Sequence, residues 1–74
     1  MSQPSVKLFG KSGCEFCQEC RAYLVGHSIG FDDIDVDTPE GMAAYAEAGW
    51  SDKLPLLVVD GRRFEGVAWR KAGL

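Results

Sequence analysis

The period of apolar and polar positions changes along this chain, and each change predicts an element. Val6-Lys7-Leu8-Phe9 alternates loosely and is closed by Gly10, which predicts a short strand. Ser12 and Gly13 break the pattern just before Cys14. From Glu15 to about His27, the positions Cys17, Cys20, Tyr23, Leu24 and His27 recur at intervals of three and four. That is one face of a helix, whose end Gly26 and Gly30 bracket. Phe31 to Val36 reads as a second strand, with Ile34 and Val36 facing one way and Asp33, Asp35 and Asp37 the other. Thr38-Pro39-Glu40 opens a second helix with a hydroxyl N-cap, proline at the first helical position and a carboxylate where the dipole favours one. It should run to about Ala48, with Gly49 as its cap. Leu54 to Val59 is a continuous apolar run that suits a central strand. Asp60-Gly61 is then a two-residue hairpin turn into a strand from Arg62 to Glu65, and Val67 to Leu74 predicts one or two helical turns.

The order βαβαββα has topological consequences. A crossover helix between two strands implies a parallel pair, and the closing hairpin adds an antiparallel strand, so the expected fold is α/β with a small mixed sheet flanked by helices. At 74 residues the chain has room for one core, and residues 1–74 are read as a single domain. Apolar residues at 46% and charged residues at 26% match a folded globular chain. A net charge of -3 and a pI near 4.9 argue against nucleic acid as a partner. The amino-terminal Met1-Ser2-Gln3-Pro4-Ser5 carries no basic stretch leading into an apolar one, and the run around Leu56-Leu57-Val58-Val59 is too short to span a bilayer. The expectation is a soluble, non-exported, cytoplasmic monomer without membrane partners.

The cysteines carry the chemistry. They number 3, and Cys14 and Cys17 are separated by only two residues, which disfavours a secreted disulfide framework. A bridge across so small a loop removes little chain entropy, so its purpose is sought in reactivity. Cys14 falls at the start of the first helix, where unpaired N–H groups and the dipole favour a thiolate, with Lys11 as a cationic neighbour and Glu15 opposing. Cys14 is therefore the expected attacker and Cys17, one turn in, the resolving thiol. Half of a zinc site is the competing reading, but a second ligand pair is missing. Cys20 extends the string to Cys14-x-x-Cys17-x-x-Cys20, yet clusters want four ligands, and Cys20 shares a helix face with Leu24, which suits a small core residue. His27 is expected to interact with free carbonyls at the helix end, Trp50 to cover the second helix and Trp69 to pack the last segment. The aspartates of the second strand are read as a solvated edge and not as a calcium loop. No metal site is assigned.

Lys11-Ser12-Gly13-Cys14-Glu15-Phe16-Cys17, followed by Ile29-Gly30-Phe31, Asp35-Val36-Asp37, Leu54-Pro55 at the start of a strand and Gly66 closing the hairpin, resembles the glutaredoxin group of the thioredoxin fold. The likeness runs from Val6 to about Gly66. It implies that Pro55 is cis and packs beside the cysteines, that Lys11 offers its charge to a substrate carboxylate, that Phe16 flanks the groove, and that the Leu54 backbone pairs with an extended peptide or glutathione. Gly66 joins them as a substrate-binding position. Two departures are visible: Glu15-Phe16 stands where many glutaredoxins carry proline and tyrosine, and Val67-Ala68-Trp69-Arg70 follows the glycine turn where an acidic residue is expected. In these features the chain also resembles the NrdH-type redoxins, which take electrons from thioredoxin reductase.

The resemblance implies a thiol-disulfide oxidoreductase, an electron carrier that reduces protein or low-molecular-weight disulfides, including glutathione mixed disulfides. It would hold no bound cofactor, with glutathione as a co-substrate or thioredoxin reductase as a partner; the residues leave both electron sources open. Two other classes are weighed against it: a metal or iron-sulfur module using the cysteines, and a redox-silent adaptor of the same fold.

Overall fold

The computed structural model describes residues 4–74; the Met1–Gln3 part of the amino-terminal reading lies outside them. Val6–Gly10 forms the first strand, β1, and its pattern of burial explains the architecture. Val6 and Leu8 alternate onto one face of the sheet, while Phe9 is buried on the other. Each face must therefore be covered. The first is covered by the helix α1, Glu15–Gly26, which lays Cys20 and Leu24 against Val6 and Leu8. The second is covered by the helix α2, Pro39–Glu47, whose Tyr45 packs on Phe9 with ring centroids 5.7 Å apart.

The sheet order is β2-β1-β3-β4, with β2 at Asp32–Asp35, β3 at Leu56–Val59 and β4 at Arg62–Glu65. β2 runs parallel to β1, and β3 is antiparallel both to β1 and to β4, as the connections require. β3 lies between β1 and β4, and because α1 and α2 cover opposite faces of the sheet, Leu57 and Leu56 are buried on opposite sides, which accounts for its uninterrupted apolar run. Asp60 and Gly61 take positive φ, 51° and 85°, the backbone of a two-residue hairpin turn. Thr38 caps α2 with its hydroxyl accepting the Gly41 N–H at 3.0 Å, and Pro39 follows in the first turn. This is the α/β architecture with a small mixed sheet expected from the element order, and it agrees with the thioredoxin fold that the resemblance implies.

Several boundaries differ from the sequence expectations. α1 does not close on a glycine: Ser28 adopts φ 56°, with its N–H donating to Val25 O and the Ile29 N–H to Leu24 O. This pair of bonds is the helix end usually built on glycine, and Ile29 packs against the cluster holding Leu24, an apolar contact that supports the turn. Main-chain amides thus occupy the carbonyls expected to meet His27. The exposed imidazole instead lies against Tyr23, with ring centroids 4.1 Å apart. At α2 the expectation holds, with Gly49 at φ 95° and Trp50 edge-on to Tyr45 at 5.3 Å. β3 begins at Leu56 and not at Leu54, because Pro55 has no N–H to give to a strand ladder; the Leu54-Pro55 peptide ahead of it is cis. The last segment is a 3-10 helix, Gly66–Lys71, joined to α1 by the Arg70–Glu19 ion pair and by Tyr23, whose hydroxyl donates to Leu74 O at 2.6 Å. The acidic side chains of β2 are exposed, and Arg21 of α1 grips one of them, Asp33, with two hydrogen bonds. No helix among the described residues is long and apolar enough to cross a membrane.

Candidate functional site

Cys14 is the N-cap of α1. Gly13, at φ 81°, takes a left-handed conformation open to glycine, and the chain then re-enters extended geometry at Cys14, φ -92° and ψ 110°. The Cys17 N–H donates to Cys14 Sγ at 3.3 Å, so the sulfur occupies the place a capping hydroxyl would fill. A helix N-terminus offers unpaired N–H donors and a positive dipole end, and this contact directs one donor at the sulfur. Cys14 is half-buried and reachable, whereas Cys17 and Cys20 are both 0% exposed.

Burial separates the thiols chemically. The Cys17 thiol is pushed up to about 11, first by desolvation and then by its hydrogen bond to Cys14; the main-chain amide of Lys11 and the guanidinium of Arg21 act the other way. Burial, with Cys17 nearby, pushes Cys20 up to about 12. Burial thus holds both as thiols through the neutral range. A stability consequence follows. Between the ordinary value of 9.0 and about 11, an unfolded chain releases the Cys17 proton while the folded chain retains it. Folding binds that proton, so this contribution is full below about 9 and is lost as pH rises through 11. Thermal unfolding midpoints are expected to fall across that window, and to fall less in Cys17→Ala; an equal decline in both proteins would contradict the assignment.

Strand register brings the remaining candidates to the same end of the sheet. Phe9 is opposite Leu56, and Leu56 is opposite Glu65. The exit of β1 toward Lys11, the approach to β3 through Pro55 and the exit of β4 into Gly66 therefore lie together, and α1 starts from that end with Cys14. Pro55 O accepts the Gly66 N–H at 2.9 Å. The Leu54-Pro55 peptide is cis, Pro55 is buried and Leu54 half-buried. Its loop is anchored from both sides. The Tyr45 hydroxyl accepts the Ser51 N–H at 2.8 Å and donates to Ser51 O, while Arg63 of β4 donates to Trp50 O. Phe16 projects from the first turn of α1, half exposed. Lys11 is exposed, and its main-chain amide faces the Cys17 thiol.

Sequence reasoning passed over the surface beside Gly66. Asp52, Lys53, Arg63, Glu65 and Ala68 line an open depression of about 470 Å³ there, and the stem of Lys53 crosses Gly66. Nothing in the spacing of those residues marks them, because they come from a loop, a strand and the 3-10 helix, which only the fold brings together. Among the described residues, no group of three or more His, Cys, Asp or Glu side chains is placed to hold a metal ion.

A family model described as Glutaredoxin matches residues 6–64. No match was found among curated protein sequences. Among solved structures, the chain is similar to a mutant thioredoxin-like protein, with TM-score 0.79 and 17% identity over 92% of this chain and 93% of that one. It is also similar to glutaredoxin 1 from Francisella tularensis, crystallised with cacodylate, with TM-score 0.68 and 23% identity over 93% and 90% of the two chains. A third similar structure is the glutaredoxin-like NrdH-redoxin of Escherichia coli, described as having a thioredoxin-like activity profile, with TM-score 0.68 and 20% identity over 85% and 83%. At these identities the structures speak for the shared fold, and they include both branches that the sequence resembles.

Proposed function

The chain belongs to the glutaredoxin family, which makes it a thiol redox protein in the general sense, and from that premise we propose that it reduces disulfides through Cys14 as nucleophile and Cys17 as resolving thiol. The observation that carries this reading is the half-buried Cys14 sulfur at the helix N-terminus, hydrogen-bonded by the amide of a fully buried Cys17. In the first step the Cys14 thiolate attacks a substrate disulfide. A Cys14–substrate disulfide forms, the substrate S–S bond breaks, and one substrate thiolate leaves and takes up a proton from water. In the second step Cys17 gives up its proton, and its thiolate attacks Cys14 Sγ. The mixed disulfide breaks, the Cys14–Cys17 disulfide forms, and the second substrate thiol departs with a proton. Two electrons have passed from the dithiol to the substrate.

The burial of Cys17 suits this division of labour. A buried thiol does not compete for the incoming disulfide, yet it lies one helical turn from the sulfur it must attack. The substrate-side groups in this proposal are Lys11, Phe16, Leu54, Pro55 and Gly66, gathered at one end of the sheet around the cysteines. Substrates would be protein disulfides or glutathione mixed disulfides, and a reducing cytoplasm is the compartment that fits such a carrier. The electron source separates the two branches of the family. Oxidised protein offered glutathione with its reductase, and separately thioredoxin reductase with NADPH, is expected to regain both thiols with one of the two systems; failure with both would remove the electron-carrier reading.

A further inference from the structure

Gly10 has no conformational reason to be glycine. It is the last residue of β1, it pairs with Asp35 of β2, its carbonyl accepts the Val36 N–H at 2.9 Å, and its backbone has no positive φ. Glycine weakens a strand interior, so where conformation does not require it the reason is sought in space. That space is occupied by Cys17. A Cβ placed on Gly10 would stand 3.0 Å from Cys17 Sγ and 3.1 Å from Cys17 Cβ, with no other heavy atom as near.

The sequence pattern explains why the approach is closest here. Val6, Leu8 and Gly10 alternate onto the face that α1 covers, and the side chain vanishes where the first turn of the helix presses on the strand. The buried Cys17 sulfur, 0% exposed, lies against the strand at the point where it is bare.

We propose that Gly10 is a positioning residue for the resolving thiol: its missing side chain forms the slot that holds Cys17 Sγ in reach of Cys14. This rests on the reading of Cys17 as the resolver. Interiors are packed closely enough that an added methyl at 3.0 Å must displace the sulfur by some tenths of an ångström, and attack on a disulfide depends steeply on the placement of the incoming sulfur. Only the second step should suffer, because Cys14 sits at the helix tip and not in the slot.

Dithiobis(nitrobenzoate) separates the steps, since one coloured thiolate leaves when Cys14 attacks and a second when Cys17 resolves. With the Gly10→Ala protein the first release is expected within about twofold of the parent rate, and the second slowed about tenfold. Equal second-release rates in folded Gly10→Ala and parent would overturn the role of Gly10 while leaving the dithiol mechanism intact. A parent that gives no second release would overturn the mechanism itself, and the inference with it. Should Gly10→Ala fail to fold, the exchange Gly10→Ala with Cys17→Gly decides the matter. Recovery of folding to the level of Cys17→Gly alone supports the slot, and no recovery refutes it.

Discussion

Cys14→Ser is expected to lower the rate of disulfide reduction by at least about a thousandfold, because only a thiolate attacks a disulfide and a hydroxyl does not ionise near neutral pH. Neither remaining cysteine can take over. Cys17 is enclosed and pushed up to about 11, and Cys20 is enclosed and pushed up to about 12. The fold should survive, since serine is a favoured N-cap and its oxygen can accept the Cys17 N–H that the sulfur accepts now. Loss of activity at an unchanged melting temperature is therefore the expected pair of results. Steady-state reduction of a small disulfide, measured beside thermal unfolding, checks both. Activity close to that of the parent would move the chemistry away from Cys14.

Cys17→Ser is expected to fail differently. The first thiolate is still released from the substrate, and then the cycle stops with substrate attached to the protein. The serine hydroxyl would be buried where the thiol was, at a cost of about 1–3 kcal/mol if it finds no partner, so Cys17→Ala serves as the companion variant. Both should give a full first burst and no second. Quantifying the released thiolate against protein concentration reads the result, and a second equivalent from either variant would show that Cys17 is not the resolver.

Much of this site is legible in the sequence, and the reason is local chemistry. Thr38-Pro39, Asp60-Gly61 and the alternation of Val6 to Phe9 each determine backbone geometry within a few residues, and each appears as expected. The N-cap position of Cys14 follows in the same way from Ser12-Gly13 before a helical period. What could not be read depends on residues distant in sequence. Ser28 holds the left-handed turn of α1 because Ile29 finds the core cluster that includes Leu24, a tertiary contact that overrides the preference for glycine. The 3-10 form of the last segment accompanies tethers from Arg70 to Glu19 and from Tyr23 to Leu74. Arg21 is held by Asp33 of a strand that precedes no recognisable partner signal. Gly10 had a usable signal, a glycine on the buried face of an alternating strand, but it reads as a simple strand end until Cys17 is seen against it.

The most direct test of the central claim is the site of attachment. Cys17→Ser protein, reacted with dithiobis(nitrobenzoate) and mapped by peptide mass spectrometry without reduction, should carry one thionitrobenzoate on Cys14, with Cys20 unmodified. An adduct on Cys20, or no adduct at all, would contradict it.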